Sequence, residues 1–139
     1  MNGALITDEV NLKIASEADI VLARQQGRAL AAKLGFNATE QALIATAISE
    51  VTRNIVQYAG QGTLKIEVES HEGVQAVVVI AQDNGPGIPD IARAMEDGYS
   101  TGGGLGLGLP GAKRLMNDFL ICSETGKGTT VTMKKWKRS

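Results

Sequence analysis

Glycine residues are concentrated in one part of the chain, and this feature constrains the fold more than any other. Nine of the 17 glycines lie between Gly85 and Gly111, and five of these nine form the tract GGGLGLG from Gly102 to Gly108. Glycine loses more backbone freedom on folding than any other residue, so it is unfavourable inside helices and strands. We therefore expect a long loop here, with a strand before it and a helix after it.

Hydrophobic periodicity predicts strands and helices on both sides of this loop. Period-two or continuous apolar patterns predict strands in EVNLKIAS, TLKIEVES, VQAVVVIAQD, FLICSE and TTVTMKKW. A turn near His71 would join the second and third of these as an antiparallel hairpin. Helices are predicted from Ser16 to Gly35, from Glu40 to about Tyr58 and over PGAKRLMNDF. The buried stripe of the second helix is predicted to contain Ile44, Ile48, Val51, Ile55 and Tyr58.

The element order predicts an α/β (α+β) two-layer sandwich, with a mixed β-sheet and helices on one of its faces. A chain of 139 residues with 43% hydrophobic residues suits one domain with one core, spanning residues 1–139.

Composition and charge exclude several classes of function. Lys and Arg number 14 against 15 acidic residues, so the positive charge of a nucleic-acid binder is missing. Cys122 is the only cysteine and His71 the only histidine, which excludes a disulfide framework and a multi-cysteine zinc site. No apolar run approaches the roughly 18–20 residues of a membrane span. We expect a cytoplasmic protein with neither nucleic acid nor membrane as a partner.

The glycine tract does not match the usual phosphate-binding loops. A dinucleotide-binding loop would lie in the first βα turn, a Walker loop would read GxxxxGK[ST], and a protein-kinase loop would accompany an HRD sequence. A glycine tract that leads into a helix can nevertheless bind anions, because backbone N–H groups approach closely and the helix N-terminus carries partial positive charge. The alternative is a flexible surface loop.

The second helix carries a carboxylate and an amide at neighbouring positions. Glu50 and Asn54 are four residues apart, so they lie together at the border of the apolar stripe. Such a pair can act as a base and as an oxygen ligand for a hard cation such as Mg²⁺. An exposed polar pair on a surface helix is the alternative. Arg53 is predicted near the opposite, solvent-facing side.

Four motifs in register resemble those of one family. ISEVTRN at 48–54, DNGPGI at 83–88, GGGLGLGL at 102–109 and GKGTT at 126–130 resemble the N, G1, G2 and G3 boxes of the GHKL ATPase/kinase superfamily. Each motif alone is weak, but their order and spacing over the whole chain make the resemblance specific. It implies the Bergerat ATP-binding fold, which agrees with the predicted order of strands and helices.

The resemblance implies a role for each matching residue. Glu50 would be the catalytic carboxylate, Asn54 the Mg²⁺ ligand and Asp83 the acceptor for the adenine amine. Gly85 and Gly87 would let the backbone pass beneath adenine, and Thr129 would close the adenine pocket. The implied ATP-binding residues are Asn54, Asp83, Gly85, Gly87, Gly102, Gly103, Gly104, Leu105, Gly106, Leu107, Gly108, Lys113 and Thr129.

The glycine tract departs from related ATP lids, which often carry a basic side chain. From Asp90 to Ala112 the only basic residue is Arg93, so Lys113 and Arg53 are the nearest other cations in sequence. Phosphate binding is therefore expected to depend on Mg²⁺ and backbone N–H groups.

The chain is most similar to the small stand-alone serine/threonine kinases of bacterial partner-switching systems, and among them to the stressosome switch kinases. That resemblance implies ATP and Mg²⁺ as cofactors, STAS-domain proteins as substrates, and a PP2C-type phosphatase that the released kinase binds and activates. It also implies a monomer or weak homodimer. The alternative is an anti-sigma factor with kinase activity that sequesters a sigma factor.

Overall fold

The computed structural model describes residues 5–88, 95 and 108–137, with side chains from residue 9 onwards in these ranges. No helix among these residues has the length and apolar character needed to cross a membrane. The elements in chain order are β1 (Leu5–Ile14), α1 (Glu17–Leu34), α2 (Ala38–Tyr58), β2 (Gly62–His71), β3 (Val74–Asp83), α3 (Gly108–Leu115), β4 (Asp118–Glu124) and β5 (Gly128–Lys137).

The described strands form one five-stranded sheet in the order β1-β2-β3-β5-β4, and each neighbouring pair is antiparallel. The prediction of a mixed sheet was therefore wrong for this part of the chain. Two helices separate β1 from β2, and their short connection makes them an antiparallel pair, so β2 returns against β1. A single crossover helix would have given parallel strands.

The helices cover one face of the sheet, which confirms the predicted two-layer α/β arrangement. α2 contacts β1, β2 and β3, while α1 and α3 pack against α2. The centre of the core contains Ile44, Ile48, Val51, Ile55, Leu64, Ile66, Val68, Val77, Val79 and Met133. Tyr58 was wrongly predicted to belong to this core. Its side chain is 48% exposed because α2 ends there, beyond its last buried turn at Ile55.

The ends of α1 and α2 follow from local sequence chemistry. Ser16 accepts a hydrogen bond from the Asp19 N–H at the start of α1, and Gly35 ends this helix with φ of 91°. α2 begins at Ala38, two residues before its predicted start, because Asn37 forms a capping box with Glu40. The Glu40 N–H donates to Asn37 Oδ1 at 2.8 Å. This cap fixes the register of the helix that carries Glu50.

Replacing this cap should lower stability measurably. We expect Asn37→Ala to reduce the free energy of unfolding by about 1 kcal/mol, because it removes the acceptor for a helix N–H group. Urea denaturation followed by circular dichroism measures the change. The exposed neighbour Thr39→Ala serves as the control. Equal stability of Asn37→Ala and the wild type would contradict the assigned cap.

α3 is shorter than predicted, because the residues after Leu115 form hydrogen bonds with β5 instead of continuing the helix. The Asn117 N–H donates to the Lys134 carbonyl at 2.9 Å, and Asn117 Oδ1 accepts from the Trp136 N–H at 2.7 Å. Lys135 donates to the Leu115 carbonyl at 2.9 Å. This contact satisfies a carbonyl group at the end of α3 and places a positive charge against the helix C-terminus. α3 thereby stays short and packed on α2.

Candidate active site

Glu50 is a buried carboxylate with two partners. Its side chain on α2 is 6% exposed. Oε1 accepts a hydrogen bond from the Gly108 N–H at 2.9 Å, and Oε2 accepts one from Arg53 at 3.2 Å. A buried carboxylate is costly unless it is paired, so both contacts stabilise it. Gly108 is the first residue of α3, so Glu50 satisfies one of the free N–H groups at that helix N-terminus.

Arg53 lies beside Glu50, so its predicted solvent-facing position on the other side of α2 was wrong. Residues three apart on a helix are neighbours, and the long arginine side chain reaches back to Glu50. The Arg53 side chain is only 27% exposed. The structure therefore places one of the two predicted cations next to the proposed catalytic carboxylate.

Asn54 follows Glu50 by one helical turn, as predicted from their spacing. Its side chain is partly exposed, whereas Glu50 is buried. The α-helical period places both on one side of α2, with the amide nearer to solvent. Asn54 is therefore partly open to solvent, whereas the Glu50 carboxylate is held by its neighbours.

Asp83 and Thr129 form a second polar pair at the end of the sheet. They lie directly opposite each other on β3 and β5, so their side chains share the face that the helices cover. Asp83 is 8% exposed and Thr129 is 5% exposed. Asp83 Oδ1 accepts from the Gly85 N–H at 2.9 Å. An open depression of about 290 Å³ at this end of the sheet is lined by both residues and by Ser123 and Gly128. Gln82, Cys122, Glu124 and Thr130, which alternate onto the other face of the sheet, also line it.

The glycines next to Asp83 are required by the close approach of other protein atoms. A Cβ at Gly85 would lie 2.6 Å from the Ala59 Cβ at the end of α2. Gly87 has φ of 79°, and a Cβ there would overlap the carbonyl of Glu124, the last residue of β4. The resemblance implied that Gly85 and Gly87 let the backbone pass beneath adenine. The structure shows that neighbouring protein atoms already take up the space that a side chain would need.

The pair Glu50 and Asn54 and the pair Asp83 and Thr129 lie at different levels along the axis of α2. Gly85 packs against Ala59, nine residues after Glu50. At 1.5 Å per residue, this sequence distance corresponds to about 14 Å along the helix axis. The base and terminal phosphate of an extended nucleoside triphosphate are separated on this scale. Asp83 with Thr129 and Glu50 with Asn54 therefore suit the two ends of one such ligand.

The structure describes only some of the remaining residues that were predicted to bind ATP. Lys113 is exposed on α3, and Gly108 contacts Glu50 with φ of 55°. The other predicted lid residues, Gly102, Gly103, Gly104, Leu105, Gly106 and Leu107, lie outside the described residues.

Sequence reasoning missed Ser123. This side chain lies on β4 opposite Thr129 and contacts both Thr129 and the segment after Asp83. The signal was its place in FLICSE, where Phe119, Ile121 and Ser123 alternate onto the helix-covered face. A polar residue that continues an apolar stripe at a strand end indicates a site.

Comparison with known proteins identifies relatives over nearly the whole chain. Residues 39–139 match the family model described as "Histidine kinase-, DNA gyrase B-, and HSP90-like ATPase". The chain is 52% identical over 133 residues to the serine/threonine-protein kinase RsbT of Bacillus subtilis, covering 96% of this chain and all of the relative. It is 34% identical over 136 residues to an anti-sigma F factor of Clostridium botulinum, covering 92% and 94% of the two chains.

A solved structure supports the fold. The crystal structure of the RsbU and RsbW domains of a Mycobacterium tuberculosis protein superposes with a TM-score of 0.62 at 21% identity. The superposition covers 96% of this chain and 34% of the other.

Proposed function

Because the chain belongs to the histidine kinase-, DNA gyrase B- and HSP90-like ATPase family, we propose that it is an ATP-dependent serine/threonine-protein kinase of a partner-switching system. Its proposed substrates are STAS-domain proteins. Once released from them, it would bind and activate a PP2C-type phosphatase. The observation that carries the proposal is the buried Glu50 carboxylate, held between Arg53 and the start of α3 with Asn54 one turn away. The similarity to RsbT over that relative's full length supports the same activity.

In this proposal Glu50 receives the proton of the substrate hydroxyl. The serine or threonine oxygen attacks the γ-phosphorus, the bond from that phosphorus to the β,γ-bridging oxygen breaks, and ADP leaves. The two hydrogen bonds to Glu50 hold the carboxylate in one orientation, and its burial keeps competing water away. Asn54 is the proposed ligand for Mg²⁺, because an amide oxygen is a ligand that hard cations accept and the residue is partly exposed. Mg²⁺ held there would neutralise the negative charge that develops during phosphoryl transfer.

Asp83 and Thr129 are proposed to bind adenine. A carboxylate that lines the open depression at the sheet end is a strong acceptor for the exocyclic amine of the base. Gly85 holds one oxygen of this carboxylate in place. Thr129 sits opposite on β5 and completes the polar edge of the pocket.

Removing the charge of Asp83 should weaken ATP binding without unfolding the chain. We expect Asp83→Asn to raise the dissociation constant for ATP by about 10- to 100-fold, since hydrogen bonds to charged groups contribute about 1.5–3 kcal/mol. The amide oxygen can still accept from the Gly85 N–H. Calorimetric titration with ATP measures the change. The control is Asp118→Asn, which changes an exposed aspartate bonded to Trp136. Wild-type affinity in Asp83→Asn would refute the adenine assignment.

A direct assay and a capture experiment test the proposed activity. The purified protein, labelled ATP and a STAS-domain protein should give a phosphorylated serine or threonine on the STAS domain. In a pull-down from native lysate, a STAS protein and a phosphatase would support the kinase proposal. The similarity to anti-sigma F factors favours a second candidate, a kinase that sequesters a sigma factor. Recovery of a sigma factor without a phosphatase would support that candidate.

A further inference from the structure

The Ser123 hydroxyl joins three parts of the proposed adenine pocket. Its Oγ accepts a hydrogen bond from the Ile88 N–H at 2.7 Å, 35 residues earlier in the chain. The same oxygen lies 3.2 Å from the Gly128 carbonyl and 2.9 Å from Thr129 Oγ1. One side chain on β4 therefore contacts the segment that follows Asp83 and the first two residues of β5.

The number of donors and acceptors limits how the Ser123 and Thr129 hydroxyl hydrogens can be arranged. A serine hydroxyl has one hydrogen to donate and two lone pairs to accept. The Ile88 N–H occupies one lone pair. The Gly128 carbonyl can only accept, so the contact at 3.2 Å is a hydrogen bond when the Ser123 hydrogen points towards it. The second lone pair of Ser123 then accepts the Thr129 hydroxyl hydrogen. All three contacts are satisfied in this arrangement alone.

We infer that Ser123 is a positioning residue that makes Thr129 a hydrogen-bond acceptor in the base pocket and so sets the selectivity for a 6-amino purine. With its hydrogen directed at Ser123, Thr129 presents only lone pairs to a ligand. Asp83, directly opposite, is also an acceptor when it is ionised. A 6-amino group donates to such an edge, whereas a 6-oxo group faces acceptors only.

This role of Ser123 rests on the proposed function and adds a selectivity determinant to it. Loss of the Ser123 hydroxyl would free the Thr129 hydrogen to rotate into the pocket. Thr129 could then donate to a 6-oxo group directly or through water. The variant would lose selectivity between 6-amino and 6-oxo purines as well as some affinity. A merely structural role would lower affinity for both purines and leave the selectivity unchanged.

The test compares the binding of ATP and inosine triphosphate, which differ in the group at purine position 6 and the proton at N1. The experiment uses the full chain of the wild type, Ser123→Ala and Ser123→Thr, with dissociation constants from calorimetric titration. We expect Ser123→Ala to lower the ratio of the inosine triphosphate constant to the ATP constant by about tenfold, the effect of one hydrogen bond. Ser123→Thr retains the hydroxyl and should keep the wild-type ratio.

Two further results would overturn the assignment in different ways. In the first, Ser123→Ala weakens the binding of both nucleotides equally, and the ratio of their dissociation constants stays within about twofold of the wild type. A change of that size is less than the effect of one hydrogen bond. Ser123 would then have only a structural role, and the proposed nucleotide site would stand. If the wild type binds neither nucleotide, or if Asp83→Asn binds ATP as the wild type does, the pocket itself is wrongly assigned. Circular dichroism of Ser123→Ala establishes that the compared proteins are folded.

Discussion

Glu50→Gln is expected to reduce the phosphotransfer rate constant by about 10²- to 10⁴-fold, the contribution of a positioned general base. Glutamine retains the size of glutamate, and its amide oxygen can still accept from the Gly108 N–H. It cannot accept a proton from the substrate hydroxyl at neutral pH. The change should therefore act on the rate constant and leave ATP affinity within about threefold of the wild type. Single-turnover transfer to a STAS-domain protein, together with ATP titration, measures both quantities.

The matched control is Glu17→Gln, which makes the same chemical change at an exposed position in the first turn of α1. It should transfer phosphate at the wild-type rate. If Glu50→Gln also transfers phosphate at the wild-type rate, Glu50 is not the base. A large loss of ATP binding in Glu50→Gln would instead assign the carboxylate to nucleotide binding, through its contact with the start of α3.

Gly128→Ala is expected to destabilise the fold strongly, because two separate effects oppose a side chain at this position. Gly128 has φ of 127°, a conformation that residues with a Cβ rarely adopt. A Cβ there would also overlap the Asp83 carbonyl oxygen, which belongs to the backbone and cannot rotate away. Backbone strain and overpacking each cost about 1–3 kcal/mol, so the free energy of unfolding should fall by about 3 kcal/mol or more. Urea denaturation measures this loss.

Gly126→Ala separates the two contributions. Gly126 lies in the turn just before Gly128 and has φ of 82°, but a Cβ there would have no atom within 4 Å. The free energy of unfolding of Gly126→Ala should therefore fall only by the cost of placing alanine in the left-handed conformation, about 1–2 kcal/mol. Equal losses in the two variants would show that the contact between Gly128 and Asp83 does not govern stability. The contact matters for function because it holds β5, and with it Thr129, directly against Asp83.

The sequence predicted most of the layer arrangement because local periodicity is set by local geometry. Alternating apolar residues predicted β2 and β3, and the helical stripe predicted α2. Glu72 and Gly73 form the predicted hairpin turn, both with positive φ. The direction of β1 relative to β2 was not predictable in this way, because it depends on how two helices pack together before β2 begins.

For the candidate site, sequence alone determined which residue types were available and how they were spaced. Helical periodicity put Glu50 and Asn54 on one side of α2, and the resemblance of DNGPGI to the G1 box indicated Asp83. The tertiary structure decided which groups touch these residues. It brought Arg53 and Gly108 to Glu50, and Ser123 to Thr129. The contact from Gly108 to Glu50 joins residues 58 positions apart, so it depends on how strands and helices pack rather than on local geometry.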